Sequence, residues 1–226
     1  MNSDSPPPAL AILVHGLWQS GLELFVMRRR LQADGSIRAL FFSYPTVVGS
    51  MSDHVRRLID CARAHKAEQL HFVGHSLGGL VVLRALQVTD DLPPGRAVLL
   101  GSPLQGSRTA QSLARMPFGR TLIGSALAEE CVEWSPREWS GRREVGVIAG
   151  SLGLGVGRLL ANLDDTHDGT VLVEETRLPG AKDHIVVAAS HTGLLLSAEA
   201  AEQTRHFLEH GNFSRQDRQD RQGSEM

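Results

Sequence analysis

Cysteine is scarce in this chain. Cys61 and Cys131 are the only two, too few for a disulfide framework, and a cytoplasmic setting with free thiols is the expectation. Neither stands at a ligand-like spacing to a histidine, so no metal site is expected. Long apolar runs are missing as well: none approaches the roughly 18 residues that cross a bilayer, so no stable membrane insertion is expected. Neither sign of charge prevails. Lys and Arg number 23 against 25 Asp and Glu, a formal net charge of −2. That balance offers no basic surface for nucleic acid and no like-charge block for a polyionic partner. The first eight residues, Met1 to Pro8, hold no positive charge and no separate apolar segment, so a secretory signal is not expected.

What is present is ordinary globular material. The chain has 226 residues, 42% hydrophobic and 21% charged, enough for one well-packed domain and cramped for two. Strand-like apolar runs at 10–14, 37–43, 70–74, 97–101, 145–149 and 185–188 alternate with helix-like runs at 21–33, 52–65, 77–88 and 192–209. The strands read as continuous hydrophobic runs, as in a sheet covered on both faces. The βαβα order predicts an α/β fold, an open and mostly parallel β-sheet flanked by helices on both faces. Residues 1–8 read as a flexible lead and 212–226 as a polar, disordered tail, leaving 9–211 as the domain. Residues 104–143 interrupt the alternation with two short helical runs, at 107–116 and 118–130, followed by Trp134 and Trp139. They form a small helical insertion, read either as a cap over a site or as a surface excursion packed on the sheet.

The strongest local signal is Gly74-His75-Ser76-Leu77-Gly78-Gly79, with a strand-like run before it and a helix-like run after it. Strand, G-x-S-x-G and helix form a nucleophile elbow, a turn so sharp that the serine hydroxyl is held out at the sheet edge. A serine hydroxyl is a poor nucleophile unless a base takes its proton, an orienter holds that base, and donors stabilise the oxyanion. In elbow proteins the acid and then the histidine follow the serine. Asp168, ahead of Gly169 in a tight turn, is the leading acid, with Asp165 next; Glu174 and Glu175 read as surface strand charges. His191, in a loop before the last helix, is the leading base, and His184 is its rival. His54, His65, His206 and His210 read as solvated or capping residues on helices. His71 reads as a strand residue and His75 as a packing neighbour. The oxyanion donors are expected to be the backbone N–H of Leu77 and of Leu17, with Trp18 next, the latter two in the loop after Val14-His15-Gly16.

These residues together resemble the α/β-hydrolase superfamily, and within it the small bacterial esterase and lipase branch. The resemblance rests on Val14-His15-Gly16-Leu17-Trp18, on the elbow, on Gly101-Ser102-Pro103-Leu104-Gln105-Gly106-Ser107, on Asp168-Gly169-Thr170-Val171 and on Ser190-His191-Thr192-Gly193-Leu194. It implies carboxylic-ester hydrolysis through an acyl-enzyme without a cofactor, on a small-molecule or lipid acyl ester. In that scheme Ser76 is the nucleophile, His191 the base and Asp168 the orienter. The chain is short for the family, which leaves little room for a large mobile lid. Trp18, Leu104, Met116 and Phe118 are candidates to line an acyl groove, as are Leu17, Leu77, Trp134 and Trp139; all of them could equally be core. A thioesterase or acyltransferase would use the same triad, and a non-catalytic binding module on this fold is a third reading.

Overall fold

The computed structural model describes residues 8–132, 137–153 and 165–215. Six strands form one sheet: β1 (Ala9–Val14), β2 (Ile37–Phe42), β3 (Leu70–His75), β4 (Ala97–Leu100), β5 (Val145–Gly150) and β6 (Asp183–Val187). Their order is β2-β1-β3-β4-β5-β6, and every pairing is parallel. Successive side chains of a strand face opposite sides, and the sequence supplies apolar residues to both. Leu10, Ile12, Phe72, Leu99 and Val147 enter one core, while Ala11, Leu13, Val73, Val98 and Ile148 enter the other.

Helices α1 (Phe25–Leu31), α2 (Met51–Ala64) and α3 (Leu77–Val88) follow β1, β2 and β3. Ser50 and Asp53 form a reciprocal capping box that fixes the start of α2. The first core is covered by α2 and α3, and the second by α1 together with the C-terminal helices. The helix expected at 21–33 is shorter, a 3-10 turn (Leu22–Leu24) leading into α1. The run expected at 192–209 is two helices, α6 (Gly193–Leu196) and α7 (Ala198–His210). Ser197 divides them: its backbone is extended, and its hydroxyl accepts the Ala200 N–H to cap α7.

The insertion holds α4 (Arg108–Ala114), α5 (Gly119–Leu127) and a wide π turn (Ala128–Val132). Ala110, Ile123, Ala126, Ala128 and Cys131 belong to the first core, as does Trp139. A buried ion pair, Glu130 with Arg137, anchors it further. Arg84 of α3 reaches the same carboxylate at 2.9 Å, and Arg137 donates to Leu104 O at 2.7 Å. The segment is thus packed on the sheet's helical layer, and it also walls the cavity described below. Trp134 lies outside the described residues.

Two readings need correction. Glu175 is not a surface strand charge; it is buried in a 3-10 turn (Glu174–Thr176). There its carboxylate accepts the Arg108 N–H at 2.6 Å and the Leu172 N–H at 3.0 Å, and burial raises its pKa. His54 is not solvated but buried on α2, against the Tyr44 ring. At the start of the expected tail, Phe213 is buried against Phe207 and donates its N–H to Asp183. Residues 1–7 and 216–226, where the lead and most of the expected tail fall, lie outside the described residues. Among the described residues no helix is long and apolar enough to cross a membrane.

The fit of α3 against the end of β1 decides the geometry of everything above the sheet. A Cβ on Gly78 would stand 2.3 Å from Val14 O and 2.5 Å from His15 O. Both are backbone atoms that cannot rotate away, so the clash must be relieved by moving the helix. Gly78→Ala is expected to lose about 1–3 kcal/mol of stability, read as a lower urea midpoint; a wild-type midpoint would refute the packing argument.

Candidate active site

In open α/β sheets, sites form beyond the carboxyl ends of the strands, where the strand order reverses. Here the reversal lies between β1 and β3, which pair Val14 with Gly74. Ser76 follows β3 with φ 54° and ψ −122°, a strained conformation for a residue with a Cβ. Its N–H is bonded to Leu100 O at 2.9 Å, and its carbonyl accepts the Gly79 N–H at 3.0 Å. The turn is therefore clamped on both sides, and Ser76 remains partly exposed while its neighbours are buried. Its hydroxyl has no hydrogen-bond partner among the described residues.

His191 lies in the loop between β6 and α6. Its Nδ1–H donates to Asp168 Oδ2 at 2.7 Å; the carboxylate can only accept, so in the neutral imidazole the lone pair is on Nε2. Asp168 is 1% exposed. Its other oxygen accepts the N–H groups of Thr170 at 2.9 Å and Val171 at 2.8 Å, and its own carbonyl accepts the His191 N–H at 2.8 Å. A carboxylate bound by three donors has no freedom to turn away from the imidazole. Gly101, at φ 54°, lies close beneath the pair: a Cβ there would sit 3.1 Å from Asp168 Oδ2 and 3.2 Å from His191 Nδ1.

The loop after β1 is held just as tightly. Gly16 N–H donates to Gln19 Oε1 at 2.8 Å, Trp18 N–H to Thr46 Oγ1 at 3.1 Å and Gln19 N–H to Gly16 O at 3.4 Å. Leu17 N–H is left without an acceptor among the described residues. Leu77 is the first residue of α3, where helix geometry leaves the N–H unpaired. Beneath the loop the His15 and Tyr44 rings stack at 4.7 Å. His15 Nδ1–H donates to Gly16 O, its Nε2 accepts the Tyr44 N–H, and the Tyr44 hydroxyl donates to His15 O. Burial lowers the His15 pKa, which suits this neutral tautomer.

Ser76 and His191 line one cavity of about 230 Å³, together with Leu17, Trp18, Gln19, Ala110, Leu113, Leu127 and Val171. Of the expected groove residues, Trp18 and Leu17 are there. Leu104 is not: it is a core residue with no exposure, because its chain turns inward after Pro103. Leu77 and Trp139 are likewise core. Met116 and Phe118 do not line the cavity either; they sit exposed on the turn between α4 and α5. The rival base His184, on β6, faces Thr176 Oγ1 at 2.9 Å and does not line the cavity. Asp165 is exposed. Sequence reasoning missed the supports Gln19, Tyr44 and Thr46, and the cavity residues Leu113, Leu127 and Val171. Ala110 and Leu113, three apart on α4, carried a faint helical-face signal; the others carried none. Among the described residues no cluster of His, Cys, Asp and Glu could hold a metal ion.

A model of the alpha/beta hydrolase family matches residues 11–166, more than two thirds of the chain, and the chain belongs to that family. Solved structures agree on the fold. The mature form of the Bacillus licheniformis lipase BlEst2 is 19% identical, with a TM-score of 0.65 over 84% of this chain and 88% of that one. A metagenomic carboxyl esterase is 18% identical, with a TM-score of 0.56 over 83% and 65%. The RedJ thioesterase of Streptomyces coelicolor is 12% identical, with a TM-score of 0.57 over 92% and 94%. No curated protein matches the chain in sequence.

Strand β3 carries two buried histidines. His75 spans the site: its Nε2–H donates to His191 O at 3.0 Å, and its Nδ1 lies 3.3 Å from Gln19 Oε1. Burial, reinforced by His191, lowers its pKa to about 3. His71 accepts the Arg96 N–H, and burial with two nearby arginines lowers it to about 4. Unfolded, each titrates near 6.5. Between these values the unfolded chain binds more protons than the folded one, so stability is full above pH 6.5 and falls as acid is added. Each histidine steepens that fall by up to about 1.4 kcal/mol per pH unit. Urea midpoints are expected to drop steadily from pH 7 towards pH 5, more gently in His71→Asn; equal slopes for the two proteins would contradict this account of His71.

Proposed function

We propose that the protein is a serine hydrolase that cleaves carboxylic esters. The observation that carries this reading is the Asp168–His191 pair at 2.7 Å, with His191 opening onto the same small cavity as the strained Ser76. In this scheme His191 Nε2 takes the Ser76 proton as the hydroxyl oxygen attacks the ester carbonyl. Asp168 keeps the imidazole in the tautomer that can accept it and stabilises the imidazolium that forms. The oxyanion is met by the N–H groups of Leu17 and Leu77. Leu17 is favoured over Trp18, whose N–H is already committed to Thr46. Imidazolium then protonates the leaving alkoxide, leaving an acyl group on Ser76. Water attacks that ester with His191 again as base, which releases the acid and restores the serine.

The cavity, at about 230 Å³, falls below the roughly 300–1,000 Å³ usual for ligand pockets. It suits a short acyl chain between Leu113, Leu127 and Val171. The acceptor that removes the acyl group, water or an alcohol, and the leaving group, alkoxide or thiolate, use the same residues. Parallel assays on oxyesters and acyl thioesters separate the ester reading from a thioesterase.

Purified protein is expected to hydrolyse p-nitrophenyl acetate and butyrate faster than palmitate, and to be labelled at Ser76 by an organophosphonate. Ser76→Ala and His191→Ala should each lose about 10⁴-fold or more in kcat, and Asp168→Asn up to about 10⁴-fold, whereas His184→Ala should stay near wild type. Activity that survives in Ser76→Ala would remove the nucleophile, and loss in His184→Ala with retention in His191→Ala would move the base.

A further inference from the structure

The elbow carries one side chain that the proposed reaction does not use. His75 ends β3, directly before Ser76, and is fully buried. Leu70, Phe72 and Val73, buried on the same strand, are apolar. Packing alone calls for no imidazole at this position, because burying a polar ring is costly unless its N–H finds an acceptor.

That N–H is given to the loop of the base. His75 Nε2 lies 3.0 Å from His191 O, and Nδ1 lies 3.3 Å from Gln19 Oε1. Gln19 Oε1 already accepts the Gly16 N–H at 2.8 Å. Burial, with His191 beside it, holds the His75 pKa at about 3, so the ring is neutral and has one N–H to give. The nearer acceptor, His191 O, takes it. The two imidazoles also pack against each other, with centroids 4.7 Å apart and a tilt of 46°. The loop after β1 crowds the same ring: a Cβ on Gly16 would stand 3.1 Å from His75 Nδ1. The His75 ring is thus confined by that loop and by His191 together.

His191 is held by three bonds. Its N–H donates to Asp168 O at 2.8 Å, its Nδ1–H donates to Asp168 Oδ2 at 2.7 Å, and its carbonyl accepts from His75. The two bonds to Asp168 fix the imidazole relative to the acid turn. They do not fix it relative to Ser76. The third bond does, because its donor is the residue covalently joined to Ser76. Alignment of base and nucleophile is demanding: a misplacement of about 1 Å can cost about 10²-fold in rate.

We propose that His75 is a positioning residue, whose Nε2–H bond to the His191 carbonyl aligns the His191 ring with Ser76. His75 takes no proton in this scheme and acts through His191. The effect on catalysis rests on the function proposed above; the alignment of the ring does not.

Two variants separate positioning from packing. His75→Leu fills the space without a donor, and His75→Gln restores an N–H at a similar reach; His75→Met replaces His75→Leu should that variant not fold. With p-nitrophenyl butyrate, His75→Leu is expected to lower kcat about 10–100-fold and to leave KM within about twofold, because the loss falls after binding. His75→Gln should recover most of that loss. The second readout needs no substrate. The His191 Nδ1–H, in a short bond to a carboxylate, is followed as a low-field proton resonance, assigned by its loss in His191→Ala. It should weaken or shift in His75→Leu and return in His75→Gln. The proposal is overturned if the resonance is the same in His75→Leu as in the wild type, or if His75→Gln loses as much as His75→Leu. It is overturned too if the wild type cleaves esters through Ser76 and His75→Leu keeps its kcat, whether or not KM rises. A wild type that cleaves no ester, with a resonance that follows the donor at residue 75, would uphold the alignment and remove only the proposed function.

Discussion

Everything above the sheet depends on one close approach, that of the start of α3 to the end of β1 at Gly78. Because the helix begins there against the Val14 and His15 carbonyls, the chain must reverse within a residue after β3. Ser76 then has no regular conformation to adopt. Holding it at φ 54° costs on the order of 1–3 kcal/mol, which the packing of two buried elements offsets: nearly every residue of β3 and α3 is inside. The same approach places the unpaired N–H of Leu77 beside the loop that carries the free N–H of Leu17. The proposed nucleophile and the proposed oxyanion donors are thus two consequences of a single steric fit.

The remaining polar groups are arranged so that little has to move. Asp168 is bound by two backbone N–H groups and the imidazole, and its carbonyl holds the backbone of His191. His75 holds that same backbone from the other side, through its Nε2–H to His191 O. Hydrogen-bonded buried groups hold one another in place, and preorganised dipoles gain most where charge develops away from water. The neutral state of His75 suits the proposed mechanism, since a second positive charge against the His191 ring would oppose formation of an imidazolium.

The six strands and the elbow were legible in the sequence because each is local. A run of apolar residues with small β-branched members is a strand wherever it lies, and G-x-S-x-G needs only its two neighbours. His191 and Asp168 could be singled out by chain order and turn chemistry. What could not be read depends on tertiary proximity. Tyr44 and Thr46 support a loop some thirty positions away, and Glu175 is buried because it caps the start of α4 across the fold. Ser197 breaks the last helix through a cap, although the periodicity runs straight through it. Leu104, Met116 and Phe118 have the composition of a groove; only their packing separates a core leucine from two exposed residues on a turn.

The insertion shows why cap and surface excursion are not exclusive descriptions. Its inner face is anchored by Ile123, Ala126 and the buried Glu130–Arg137 pair, and breaking such a pair typically costs about 3–5 kcal/mol. Those anchors oppose the hinge motion of a mobile lid, and the segment presents a fixed wall, with Leu113 and Leu127, to the cavity. Under the proposed function a fixed wall limits the acyl chain by volume. The outward side of the same hairpin carries the exposed Met116 and Phe118, so one rigid element is cavity wall on its inner side and water-facing surface on its outer side.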